Sequence, residues 1–177
     1  MTIAVLLAVS SAEAAVIDFT TATNTGTVIT TPEATVTAAP GTNLTIGDFI
    51  DNAVCPSVAG CTGAMELEFM FDVNNVAFEF GFGGSGDQAT VTGFDSFGVQ
   101  VGQILLTLAS GTSFQSLATF GTLRSIVFDN TLAASSGYAY GNISYDRAAV
   151  IPLPATLPLL LAGIAGIGLM GGWRRTA

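Results

Sequence analysis

The chain has 177 residues, 13 carboxylates, four arginines, and neither lysine nor histidine, for a formal net charge of −9. That balance excludes a nucleic-acid partner, because phosphates carry the same sign. Without histidine the hydroxyl–histidine and thiol–histidine nucleophiles cannot be built, and with only two cysteines besides, none of the zinc patterns can form.

Residues 1–14 read as a signal peptide. Ile3 to Val9 is an apolar run, and Ala12-Glu13-Ala14 offers an A-x-A pattern with cleavage before Ala15. No basic residue precedes the run, as a start codon placed inside a longer signal would give. Residues 15–150 are long enough for one domain with a real core. They hold twelve carboxylates against Arg124 and Arg147, a net charge of −10.

Within that domain the period-two recurrence of aromatic and β-branched residues, with abundant Gly, Ser and Thr, predicts strands. Candidate strands cover 16–21 and 26–31, and 47–53 reads as a short helical turn. Cys55 and Cys61 close a C-x5-C loop holding Pro56 and Gly60. In an oxidising compartment their expected state is a disulfide.

The clearest unit spans 65–82. Met65, Leu67, Phe69 and Phe71 alternate with polar residues, then Val76, Phe78, Phe80 and Phe82 do the same. Asn74-Asn75 between them predicts a two-residue hairpin turn, with Phe71 opposite Phe78, Phe69 opposite Phe80 and Leu67 opposite Phe82. Glu66, Glu68 and Glu79 would then share the outer face. Two carboxylates suffice for glycoside hydrolysis, but a solvated sheet face accounts for them better, and the domain reads as non-catalytic. The run Gly81 to Asp87, GFGGSGD, lacks the lysine and helix of a phosphate loop and reads as a flexible hairpin exit.

Further strands are expected at 89–94 and 99–108, around a turn at Asp95-Ser96-Phe97-Gly98, and at 123–129 and 138–145, with a small-residue loop at 130–137. Many short strands and no long amphipathic helix indicate an all-β, antiparallel sandwich. Tyr138, Tyr140 and Asn142 share one face if their strand is regular, and that set could hold a sugar. A buried aromatic stripe is the other reading of the two tyrosines. Asp18, Asp87, Asp129 and Asp146 could supply oxygen ligands to a structural calcium, but no spacing localises a metal site. No cofactor is indicated.

Residues 151–177 are the tail. Ile151-Pro152-Leu153-Pro154-Ala155 precedes an uncharged apolar run, then Trp173 and the pair Arg174-Arg175. A helix over about 157–173 would reach across a bilayer core, with the arginines as the cytoplasmic stop. This order resembles the sorting tail of the PEP-CTERM class in its VPLPA variant, with Ile151 in place of the usual Val. The resemblance implies a bacterial exported protein and an exosortase partner that removes the tail. It implies passage across the inner membrane and at least transient anchoring, ahead of a cell-surface or extracellular location. The segments FDSFGVQVG, LRSIVFDN and GNISYD also resemble the jelly-roll-like ectodomains of that class, with Asn142 where Asp is common.

Three functional readings follow. The first is a non-catalytic surface or matrix protein delivered by its sorting signal. The second is a carbohydrate-binding module of the cell envelope, with an exopolysaccharide as partner. The third is a single-pass membrane-anchored protein whose tail is not processed.

Overall fold

The computed structural model describes residues 14–47, 50–57, 60–108 and 110–148. The expected signal peptide, apart from Ala14, and the expected sorting motif, apolar run and arginine pair of the tail lie outside the described residues. Among the described residues no helix is long and apolar enough to cross a membrane.

The strands are β1 (Ala14–Val16), β2 (Thr23–Asn24), β3 (Val28–Thr30), β4 (Ala34–Ala38), β5 (Asn43–Ile46) and β6 (Ala53–Ser57). They continue with β7 (Ala64–Gly81), β8 (Gln88–Phe94), β9 (Gln100–Thr107), β10 (Thr112–Ser116), β11 (Leu123–Asp129) and β12 (Ala139–Arg147). One short 3₁₀ turn covers Ala118–Phe120. Every ladder between these strands is antiparallel, so the expected all-β antiparallel sandwich is found. The turn before β9 forms as its residues predict. The Asp95 carboxylate accepts the Phe97 and Val99 amides, and Gly98 takes the left-handed conformation with φ +75°. In the 47–53 segment, residues 50–52 form a turn, and Ala53 already belongs to β6.

The expected hairpin is not formed. Residues 64–81 are one continuous strand of 18 residues, and Asn75 sits inside it with φ +51°. Either a hairpin turn or a bulge resets the phase of a period-two pattern, so both explain the same sequence. The partners decide between them. Before the asparagines β7 lies between β4 and β11; after them it lies between β12 and β10. With neighbours on both edges, the two arms have no free side on which to pair with each other. The burial pattern follows the reset. Met65, Leu67, Phe69, Val73, Val76, Phe78 and Phe80 are all buried, while Phe71 is half-buried and Phe82 is exposed.

This strand builds the sandwich by belonging to both leaves. The first leaf runs β2-β3-β4-β7-β11-β8-β9. The second gathers β5, β6, β12, the later half of β7, and β10, with β1 added beside β12. Aromatic rings fill the space between. Phe78 meets Phe80, Phe128 and Tyr140 at ring centroid distances of 6.2, 5.2 and 5.8 Å, and Phe69 meets Tyr145 edge-on at 5.3 Å. Offset and edge contacts of this kind add to the burial term.

The Cys55–Cys61 disulfide is formed, with Cα atoms 5.2 Å apart. With Ile50, Ala53 and Ala139 the two cysteines make a small second core. That core packs against β12 at Ala139, and Ala53 also closes over Gly141.

Candidate functional site

The two tyrosines singled out by the sequence are structural. Tyr138 and Tyr140 have no exposed surface, so neither ring can stack on a sugar. The Tyr138 hydroxyl accepts the Leu108 amide at 2.7 Å and donates to the Asp87 carbonyl at 2.8 Å. The Tyr140 hydroxyl donates to Asn130 Oδ1 at 2.5 Å, while the Asn130 Nδ2 donates to the Cys61 and Tyr138 carbonyls. Burial holds the Tyr140 phenol well above its ordinary value. The third residue of the set goes elsewhere. Asn142 has φ +47° at a register shift between Gly141 and Ser144, and this irregularity detaches it from the tyrosine face.

Asn142 turns instead to the outer face of the second leaf. Its Nδ2 donates to Glu79 Oε2 at 2.7 Å, and both side chains are half-buried. Glu79 stands directly opposite Phe114 of β10, which keeps 66% of its surface exposed. Directly paired side chains on one face lie close enough to act together. The positions around them are small. Ala77 lies opposite Ser116 and Ser144, Gly81 opposite Thr112, and Gly141 opposite Glu79. A Cβ on Gly81 would stand 2.7 Å from the Gly111 carbonyl oxygen, and one on Gly141 2.8 Å from the Ala53 Cβ. Neighbouring segments therefore cover both glycines closely. The result is an exposed ring opposite an oriented carboxylate, with the hydroxyl residues Thr112, Ser116 and Ser144 at neighbouring register positions.

The sequence pattern does not single out Phe114. Its signal is a lone ring among Thr112, Ser113, Gln115 and Ser116, which a core-facing strand would not show. Glu79 is legible only as an outward residue, because the hairpin grouped it with Glu66 and Glu68. The continuous β7 separates them: Glu66 and Glu68 face out from the first leaf and Glu79 from the second. Glu68 instead lies 3.9 Å from Arg124.

The four aspartates considered for calcium are not brought together. Asp18 accepts from Thr20 and Thr21, Asp129 from the Thr131 amide and Asp146 from Asn75. Asp87 is buried and takes the Gly84, Ser135 and Ser136 amides together with the Ser135 hydroxyl. Burial pushes its carboxyl up, but those amides outweigh it and hold the group at about 2. The GFGGSGD segment is thus pinned at its end by Asp87, and is not a free exit. No group of three or more metal-ligating side chains exists among the described residues.

No known family profile matches the chain, and no curated protein matches it. Solved structures do. A family 29 carbohydrate-binding module from Piromyces equi, CBM29_1, superposes with a TM-score of 0.50 at 12% identity, over 83% of this chain and 98% of that one. A mutant of CBM29-2 complexed with mannohexaose gives 0.47 at 15% identity, over 77% of this chain and 93% of that one. At such identity the likeness is one of architecture, and what the chain shares with the first module is its antiparallel β-sandwich.

Proposed function

We propose that residues 15–150 form a non-catalytic carbohydrate-binding module of the cell envelope, with its glycan site on the outer face of the second leaf. Phe114 is the stacking plate for the apolar face of a sugar ring. Glu79 accepts sugar hydroxyls through the oxygen that Asn142 does not occupy, and Asn142 fixes the carboxylate's orientation. The observation that carries this reading is Phe114 standing exposed beside the hydrogen-bonded Glu79–Asn142 pair. An apolar ring in water is a cost that a stacked ligand relieves. The sandwich shared with a family 29 module supports it at the level of fold.

Affinity electrophoresis through gels loaded with a panel of polysaccharides tests the site. Retardation by at least one glycan is expected, and Phe114→Ala should weaken it by about tenfold while the fold is kept. A folded protein that no glycan retards overturns the reading, as does an unaffected Phe114→Ala.

Delivery belongs to the tail. We read Ile151 to Ala155 as an exosortase recognition motif. The prolines keep it extended at the membrane surface, because each lacks an amide proton and disfavours helix in the residue before it. In a host with the cognate exosortase, the surface-released protein should have lost Arg174 and Arg175 by intact mass. Changing Pro152 and Pro154 to Ala should block that loss. An intact tail on released protein would leave an ordinary membrane anchor.

A further inference from the structure

We infer that the glycan bound at the Phe114–Glu79–Asn142 face carries free amino groups; this rests on the carbohydrate-binding reading and names its ligand class. Glu79 stands at the centre of this face. It is a half-buried carboxylate whose hydrogen-bond partner is a neutral amide, and no cation pairs with it among the described residues. The two arginines of the domain are committed elsewhere. Arg124 lies 3.9 Å from Glu68 and from Asp72 on the first leaf, and the Arg147 guanidinium sits 3.9 Å over the Phe71 ring. The chain has no lysine or histidine, so among the described residues no other side chain supplies a positive charge.

The hydrogen-bond inventory points the same way. Glu79 only accepts, and Asn142 has already spent one donor on it, so the ligand must bring donors to the centre of the face. A sugar hydroxyl brings one donor and two acceptors; an ammonium brings three donors and no acceptor. The ammonium therefore matches the carboxylate without leaving an acceptor of its own unpaired. Phe114 beside it presents a ring face that attracts a cation as well as an apolar sugar face. A domain with a net charge of −10 draws a cationic chain towards it and repels uronates and sulfated sugars.

The probes are a fully deacetylated glucosamine hexamer, its N-acetylated counterpart, and a neutral hexose hexamer, each titrated calorimetrically against the full chain in detergent. The deacetylated hexamer should bind about tenfold more tightly than the other two at low salt, the factor that corresponds to about 1.4 kcal/mol. Raising the pH until the amines are neutral should abolish the preference, and Glu79→Gln should remove most of it. Glu66→Gln, which deletes the same charge from the opposite leaf, should leave it within about twofold, since remote exposed charges are screened. If both glutamate variants weaken binding equally, only net charge is at work and the inference falls. Equal binding of all three hexamers, with Glu79→Gln silent, overturns the amino-sugar class and leaves a glycan site standing. Failure of every glycan, deacetylated or not, on a folded protein overturns both.

Discussion

Phe78→Ala should destabilise the domain by about 3–5 kcal/mol, the range for a large aromatic removed from a packed core. Phe78 has no exposed surface and lies on the later half of β7, in the second leaf. Its ring touches Phe128 of the first leaf at 86° and 5.2 Å, and Tyr140 of its own leaf at 68° and 5.8 Å. Truncation therefore removes apolar burial and these two contacts together with the edge-on contact to Phe80. The surrounding rings cannot easily collapse into the space. Tyr140 is tethered by Asn130, and Phe128 is fixed in β11 between β7 and β8. Equilibrium urea denaturation would measure it, with an unchanged slope showing that the two-state transition is preserved. Phe114→Ala in the same assay should stay within about 0.5 kcal/mol, since its ring is mostly in water. A loss below about 1 kcal/mol at Phe78 would mean that the ring does not pack between the leaves.

The sequence carries the strand content of this fold clearly and its topology poorly. β11 has the predicted bounds because its apolar and β-branched run Ile126-Val127-Phe128 lies between a loop and a turn, although a register shift after Leu123 interrupts its alternation. The turn before β9 is legible because Asp95 and Gly98 act within a few residues of each other. Long-range partners are not written in local pattern. The aromatic run of β7 says that all its rings reach a core, and they do, apart from half-buried Phe71 and exposed Phe82. It cannot say whether the phase change at Asn74-Asn75 reverses the chain or only bulges it. That choice depends on β4, β10, β11 and β12, which lie far away in sequence. The same ignorance of pairing grouped Glu79 with Glu66 and Glu68. β10 itself is short and carries one apolar side chain, so periodicity has nothing to detect there. Tyr138 and Tyr140 were legible as a stripe, but burial depends on the opposite leaf. Asn142 left their face because a single left-handed residue shifts every position after it.

Asp87→Ala should cost on the order of 2–4 kcal/mol at neutral pH, with a loss that shrinks in acid. The carboxylate is 1% exposed and has no cation beside it among the described residues, where its charge is balanced by donors. It gathers the amide of Gly84, before it in the β7–β8 loop, and those of Ser135 and Ser136 from the loop before β12. Its own carbonyl receives the Tyr138 hydroxyl. The residue thus ties two loops together at one end of the sandwich, and its removal leaves three amides without their acceptor. Unsatisfied donors of this kind cost about 1–3 kcal/mol each when water cannot reach them, and less where it can. The pH dependence has a definite sign. The amides hold the folded group down at about 2, below the ordinary carboxylate value of 3.8. A depressed carboxylate stabilises the fold above its unfolded value and loses that contribution as pH falls through its folded value. Wild-type stability should therefore decline between about pH 4 and about pH 2 by a share owed to Asp87. Asp87→Ala should lack that share, so the two denaturation midpoints converge over the same interval. Asp87→Asn should fall between them, because its carboxamide keeps one acceptor oxygen and turns a donor towards the remaining amides. Parallel acid profiles for wild type and Asp87→Ala would show that the amides bind a neutral group, and the account of this junction would fail.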